Sequence, residues 1–158
     1  MKIKLFVFGF LAIGTSIASA YKLGADGILL NDDGTARVMS QYEALKSCPS
    51  GMHLPTAREL AIESQSYGAL GLLELDQTPL AAYRKVTATN SDGTKDEFYF
   101  AYDGYSPTDN NLKKNWFWSS SVFSGDETVA YGLVSWGSIE YFGPRENPWG
   151  AVQCFKNP

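Results

Sequence analysis

Two cysteines stand 106 positions apart in this chain, and any fold it adopts has to place both. Cys48 precedes a Pro49-Ser50-Gly51 turn, then Met52-His53, a stiff Leu54-Pro55 step, and Thr56, which can cap a helix while Glu59 reaches back to it. Cys154 lies close to the end of the sequence. In an oxidising compartment the two read as one disulfide enclosing most of the chain. Closing a loop of about 100 residues is worth up to about 4.7 kcal/mol in the chain-entropy model. The competing reading, a reactive thiol pair, calls for cysteines close in sequence or beside a cationic group.

The compartment is legible in the first twenty residues. Lys2 and Lys4 precede an apolar run from Leu5 to Ile13, and Ala18-Ser19-Ala20 offers the small residues a signal peptidase reads. This predicts export and cleavage after Ala20, since Gly14, Thr15 and Ser16 interrupt the apolar run short of the roughly 20 residues a membrane span needs. No cysteine follows the cleavage site to take a lipid, and no later segment is apolar enough to span a bilayer. The expected mature domain, residues 21–158, belongs in the periplasm, on the cell surface or in the medium. Losing two lysines takes the formal charge from −4 to −6. An acidic domain without a basic run is a poor partner for nucleic acid or for anionic membrane surfaces.

Along residues 21–158 the pattern places helices first and strands later, an α+β order with two short N-terminal helices and a mainly antiparallel sheet. Ile28-Leu29-Leu30 reads as a strand, Asn31 to Gly34 as a turn, and Thr35 to Val38 as its return. Ser40 and Glu43 form a capping box for a first helix, with Ala44, Leu45 and Cys48 on one face and Pro49 as its stop. Thr56 and Glu59 start a second helix through about Gln65; Leu60 and Ala61 mark its buried side and Arg58, Glu63 and Gln65 face water. The apolar connector around Leu70 to Leu75 fits either a helix or an extended segment. Strands follow at 83–89 and 97–102, then a polar loop at 103–114, a core return at 116–121, and a hairpin of 129–136 with 139–142 around Gly137-Ser138. A final strand runs over 151–155. Nine Tyr, nine Phe and four Trp suit an aromatic-rich, partly β domain.

Three islands of this pattern, Cys48 to Leu60, Trp118-Ser119-Ser120 and Ala151-Val152-Gln153-Cys154, resemble exported bacterial domains with a C-type-lectin-like fold. The resemblance is to the Fibrobacter major paralogous (FISUMP) domain and to the lectin-like C-terminal domain of bacterial collagen-like proteins. It implies a lectin-like domain over 21–158, in which a long disulfide similarly ties the first helix to the last strand, matching Cys48 with Cys154. Met52 stands where that pattern usually has Trp, and Gln153 where Arg is common.

Catalytic signatures are sparse. His53 is the single histidine, with no second one at metal-ligand spacing, and reads as a hydrogen-bonded turn residue. Ser119-Ser120-Ser121 lacks a nucleophile elbow, and polar strand ends account for it. Nine dispersed carboxylates between Asp92 and Glu146 give no reason to pair any two as a glycosidase would. Sugar-binding C-type lectins hold calcium through Glu-Pro-Asn or Gln-Pro-Asp and Trp-Asn-Asp elements; Glu146-Asn147-Pro148 has the wrong order and Trp-Asn-Asp is missing. No catalytic residue, metal or cofactor is therefore expected. The expected function is recognition of a glycan or surface protein, as in adhesion, by Trp136, Tyr141, Arg145, Glu146, Asn147 and Trp149, on the final hairpin and the loop after it. About half of the hairpin aromatics must instead face the core by strand alternation, and Phe117 and Trp118 read as core. The alternatives are an envelope assembly subunit using the same face on a partner chain, and an envelope hydrolase.

Overall fold

The computed structural model describes residues 21–80 and 82–158, so the expected leader, Met1 to Ala20, lies outside the described residues. The first part of the chain forms β1 (Lys22–Leu23), β2 (Leu29–Leu30), β3 (Val38–Met39), α1 (Gln41–Ala44), β4 (Met52–His53) and α2 (Ala57–Ser66). The remainder forms β5 (Gly71–Leu73), β6 (Arg84–Thr89), β7 (Lys95–Ala101), α3 (Asn110–Lys114), β8 (Phe117–Phe123), β9 (Asp126–Leu133), β10 (Ile139–Pro144), β11 (Gly150–Ala151) and β12 (Phe155–Lys156). The protein is mostly sheet with a few short helices and one disulfide, Cys48 to Cys154.

The main sheet runs β10-β9-β8-β6-β7-β5, antiparallel at every step. β11 joins it parallel to β8 at Ala151 and Phe117, and pairs antiparallel with β3 on its other side. Residue alternation gives this sheet two apolar faces. One, with Phe98, Phe117, Tyr131, Leu133 and Ile139, is covered by Leu60 and Ala61 of α2. The other, with Trp118, Ala130 and Phe142, is covered by Leu29, Met39, Ala44 and Val152. A sheet buried on both sides is why Phe117 and Trp118, adjacent in sequence, are both 1% exposed or less.

Both helix starts are built as their capping boxes predict. Ser40 Oγ accepts from Glu43 N while the Glu43 carboxylate accepts from Ser40 N, and Thr56 with Glu59 repeats the arrangement. α1 nevertheless stops at Ala44, so Cys48 sits beyond the helix and not on its last turn. The backbone N–H groups of Lys46 and Ser47 have switched to partners three residues back, and the Ser47 hydroxyl takes the Ala44 carbonyl. That tighter turn ends the α-helical ladder before Pro49 could. Arg58, expected in water, instead lies over the Phe98 ring and is bound by Asp96 and Glu74.

Other differences have local causes. β2 pairs with β1, and the expected return strand contributes only a single bridge, Leu30 to Ala36, before β3 turns to β11. The turn itself recurs: Asn31-Asp32-Asp33-Gly34-Thr35 and Asn90-Ser91-Asp92-Gly93-Thr94 carry matching hydrogen bonds. In each, the Asp Oδ1 accepts from the Thr N–H at 2.9 Å and the Thr hydroxyl at 2.6 Å. The Asn amide donates to the same hydroxyl, and Gly34 and Gly93 supply the positive φ the turn requires. The open connector is strand β5, and the 103–114 loop holds α3, capped by Asp109 and anchored by buried Leu112. Ser119 to Ser121 are mid-strand and buried, not at a polar strand end. There β8 slips register against β9, and other groups supply its hydrogen bonds: Gln41 Nε2 donates to the Ser119 carbonyl, Ser120 N donates to the Pro55 carbonyl, and Ser121 Oγ accepts from Ala57 N.

The expected last strand is divided. Gly150–Ala151 belongs to the main sheet, Gln153 bridges Ile28, and Phe155–Lys156 pairs with β4. The β1–β2 loop is pressed against this segment: a Cβ on Gly27 would stand 2.3 Å from the Cys154 carbonyl oxygen, and Cys154 N donates to the Gly27 carbonyl. Among the described residues no helix is long and apolar enough to cross a membrane.

Candidate binding surface

The six residues expected to bind are distributed over both faces of the sheet. Tyr141 points with Ile139 to the face that carries α2, where its ring packs on Phe123 and Tyr131 at centroid distances of 4.7 and 5.1 Å. Phe142 points the other way and packs on Trp116, against which Trp136 stands edge-on at 5.5 Å. Trp136 lies in the turn between β9 and β10, not on a strand. Tyr141 and Trp136 are thus separated by the thickness of the sheet. Trp149, in the turn before β11, is 57% exposed and no aromatic ring of the described residues packs on it.

Arg145 has a different part. Its Nε donates to Gln41 Oε1, its Nη1 to the Glu127 carbonyl, and its guanidinium lies 4.4 Å over the Tyr42 ring. Its backbone accepts from Gln41 N and donates to Thr128 O. Arg145 therefore clamps the end of β10 onto the start of α1, and Tyr42 beneath it is a half-exposed aromatic that the sequence pattern did not single out. Asn147 closes a turn by donating from its backbone to Pro144 O, while the neighbouring Glu146 is exposed.

A recess elsewhere on the molecule was not expected from the sequence. An open cleft of about 640 Å³ separates β4 and the start of α2 from the 90–92 turn, and His53, Glu59, Asn90, Asp92 and Asn157 are among its walls. His53 is on a paired strand, with Nε2 2.9 Å from Glu59 Oε1 and Nδ1 3.0 Å from Asn157 Oδ1. The other oxygen of Glu59 serves the helix cap. Arg58 at the cleft edge is held protonated beyond its ordinary range, chiefly by the hydrogen-bonded Asp96. Arg58, Glu59, Asp92 and Asp96 each have a partner inside the protein, and His53 has no hydroxyl or thiol partner among the described residues. The sequence showed two walls of the cleft, the Cys48 to Glu59 segment and the Asn90 to Gly93 turn, but not that they meet, since pairing of β4 with β12 is a long-range event.

Among the described residues no group of three or more His, Cys, Asp or Glu is arranged to hold a metal ion. No protein-family model, no curated protein and no solved structure matched the chain.

Proposed function

We propose that the chain is an exported, non-catalytic binding module on a C-type-lectin-like scaffold akin to the FISUMP domain, recognising a glycan or a surface protein. The scaffold reading draws on two capped helices ahead of a mainly antiparallel sheet, and on a disulfide joining the region after α1 to the terminal segment. The disulfide fits an exported protein. The observation that carries the functional reading is the exposure of Trp136, Tyr141 and Trp149, at 48%, 56% and 57%, on a frame that holds two of them by packing from beneath. Large aromatics that keep an open face while losing little freedom on contact are what sugar stacking and protein hot spots use. The assembly-subunit alternative would find at β10 an outer edge already bulged near Phe142 and ended by Pro144, both of which blunt strand pairing.

The test is to screen the mature chain against glycan and surface-protein panels, then to repeat the hits with Trp149→Ala, Trp136→Ala and Tyr141→Ala. A saturable ligand should lose about tenfold or more in affinity with at least one variant that keeps its melting temperature. Because Tyr141 and Trp136 lie on opposite faces, the pattern of losses also names the face used. A blank panel, or losses only in variants that unfold, would sink the proposal.

A further inference from the structure

Gln153 is 1% exposed, in the segment between β11 and β12. Its Nε2 donates to the Asp26 carbonyl at 2.9 Å, and because a carbonyl can only accept, this bond fixes the orientation of the amide. Gln153 Oε1 is then a buried acceptor with no donor among the described residues, a costly state for a native interior. Gln153 lines an open cleft of about 420 Å³ bounded by Gly24, Asp26 and Gly27 of the β1–β2 loop, Met52 of β4 and Glu63 of α2. The close pass of Gly27 against Cys154 makes that loop a fixed wall.

The carboxylate residues Asp26 and Glu63 line the same cleft. Among the described residues, the Glu63 carboxylate accepts only from the Tyr67 hydroxyl, at 3.1 Å. The Tyr67 phenol is pushed above its ordinary range by burial first, and then by the negative charges of Glu63 and Asp26. Lys156 also lines the cleft but is exposed and pairs with neither carboxylate. The cleft offers acceptors and negative charge, in a domain whose net charge is itself negative.

We infer that this cleft binds the cationic N–H donor of a basic side chain, the guanidinium of arginine or the ammonium of lysine, presented by a peptide or protein. Gln153 Oε1 takes one N–H, and Glu63 and Asp26 supply the charge. The cleft shares no residue with the aromatic surface, so it stands or falls independently of the proposal above.

Nα-acetyl-L-arginine amide is the probe, titrated into the isotopically labelled 21–158 chain, with tetramethylammonium at equal concentration as a cation that has no N–H. The expected result is saturable shifts at the Gly24 and Gly27 amides and at the Gln153 side-chain amide, with a Kd of about 1 mM, and none with tetramethylammonium. Glu63→Gln, which can still accept from Tyr67, should weaken binding about tenfold. Gln153→Met should abolish it; as that site is buried, Glu63→Gln carries the test if the Met variant fails to fold. No saturable shift, equal shifts with tetramethylammonium, or unchanged affinity in Glu63→Gln would overturn the inference.

Discussion

Single residues here are defined more by what lies against them than by their own chemistry. Tyr131 shows this. Its hydroxyl exchanges hydrogen bonds with the Thr87 backbone while burial drives its pKa up to about 12, and burial does the same for Tyr105. Both phenols stay neutral in the folded state at a pH where an unfolded chain, near the ordinary value of 10, has begun to ionise. The unfolded state then binds fewer protons, so stability contributed by these residues is intact below about pH 10 and is lost as pH rises through about 12. Ultraviolet difference titration should show a late-titrating set among the nine tyrosines that merges with the rest in denaturant. The paired turns at Asp33 and Asp92 work in the opposite sense, their carboxyls held below the usual carboxylate range first by the Thr hydroxyl and next by the Thr N–H. These five-residue turns were readable from their Asp-Gly steps because the bonds that close them are local; the later bonds from Asn111 Nδ2 to the Gly34 carbonyl and from Ser121 Oγ to Asn90 Oδ1 were not. The clamp role of Arg145 was not, because Gln41, its partner, is 104 positions away.

At the level of elements, the short helices are held at least as much by the sheet as by themselves. α2 has its own capping box, yet its first N–H, at Ala57, donates to Ser121 Oγ, which in turn donates to Asn90 Oδ1. Ser121→Ala would strand a buried N–H and a side-chain acceptor together, at a cost of about 1–3 kcal/mol. Urea unfolding should show a lower midpoint with an unchanged slope, and Ser121→Thr, which keeps the hydroxyl, should recover part of the loss. The run Ser119 to Ser121 displayed its polarity in the sequence but not its use, since serines that replace a strand's lost ladder bonds look like serines at a strand end. Helix starts were legible to the residue because capping boxes are written within four positions. α1's end was not: Leu45 and Cys48 continue the apolar spacing past the point where the backbone tightens. α3 escaped for a related reason, a helix of five residues giving no period to read, only the cap Asp109 and the single buried Leu112.

Across the whole molecule, the final segment completes what the first strands begin. β11 pairs with β3, β12 with β4, Gln153 bridges Ile28, and Cys154 joins Cys48. Reduction should therefore cost up to about 4.7 kcal/mol, the loop-closure value for so long a span. Intact mass after alkylation should show no free thiol before reduction and two after it, and the melting temperature should fall between those states. The cysteine pair and the mixture of short helices with a larger sheet were visible in the sequence; the helices interleaved with strands, and the splitting of the last strand between two sheets, were not, because Ala151 to Phe155 reads as one strand.

That closure also governs how the molecule answers force. If the chain is pulled by Tyr21 and Pro158, tension passes through the Cys48–Cys154 bond and bypasses α2 and the aromatic hairpin, which lie between the two cysteines. Only the residues from Tyr21 to Cys48 and from Cys154 to Pro158 can be drawn straight, about 110 Å of extended chain against about 470 Å for the reduced protein. With the bond intact, a tethered copy would act as a short leash, yielding at its ends, where β3 leaves β11 and β12 leaves β4, while strands β5 to β10 carry no load.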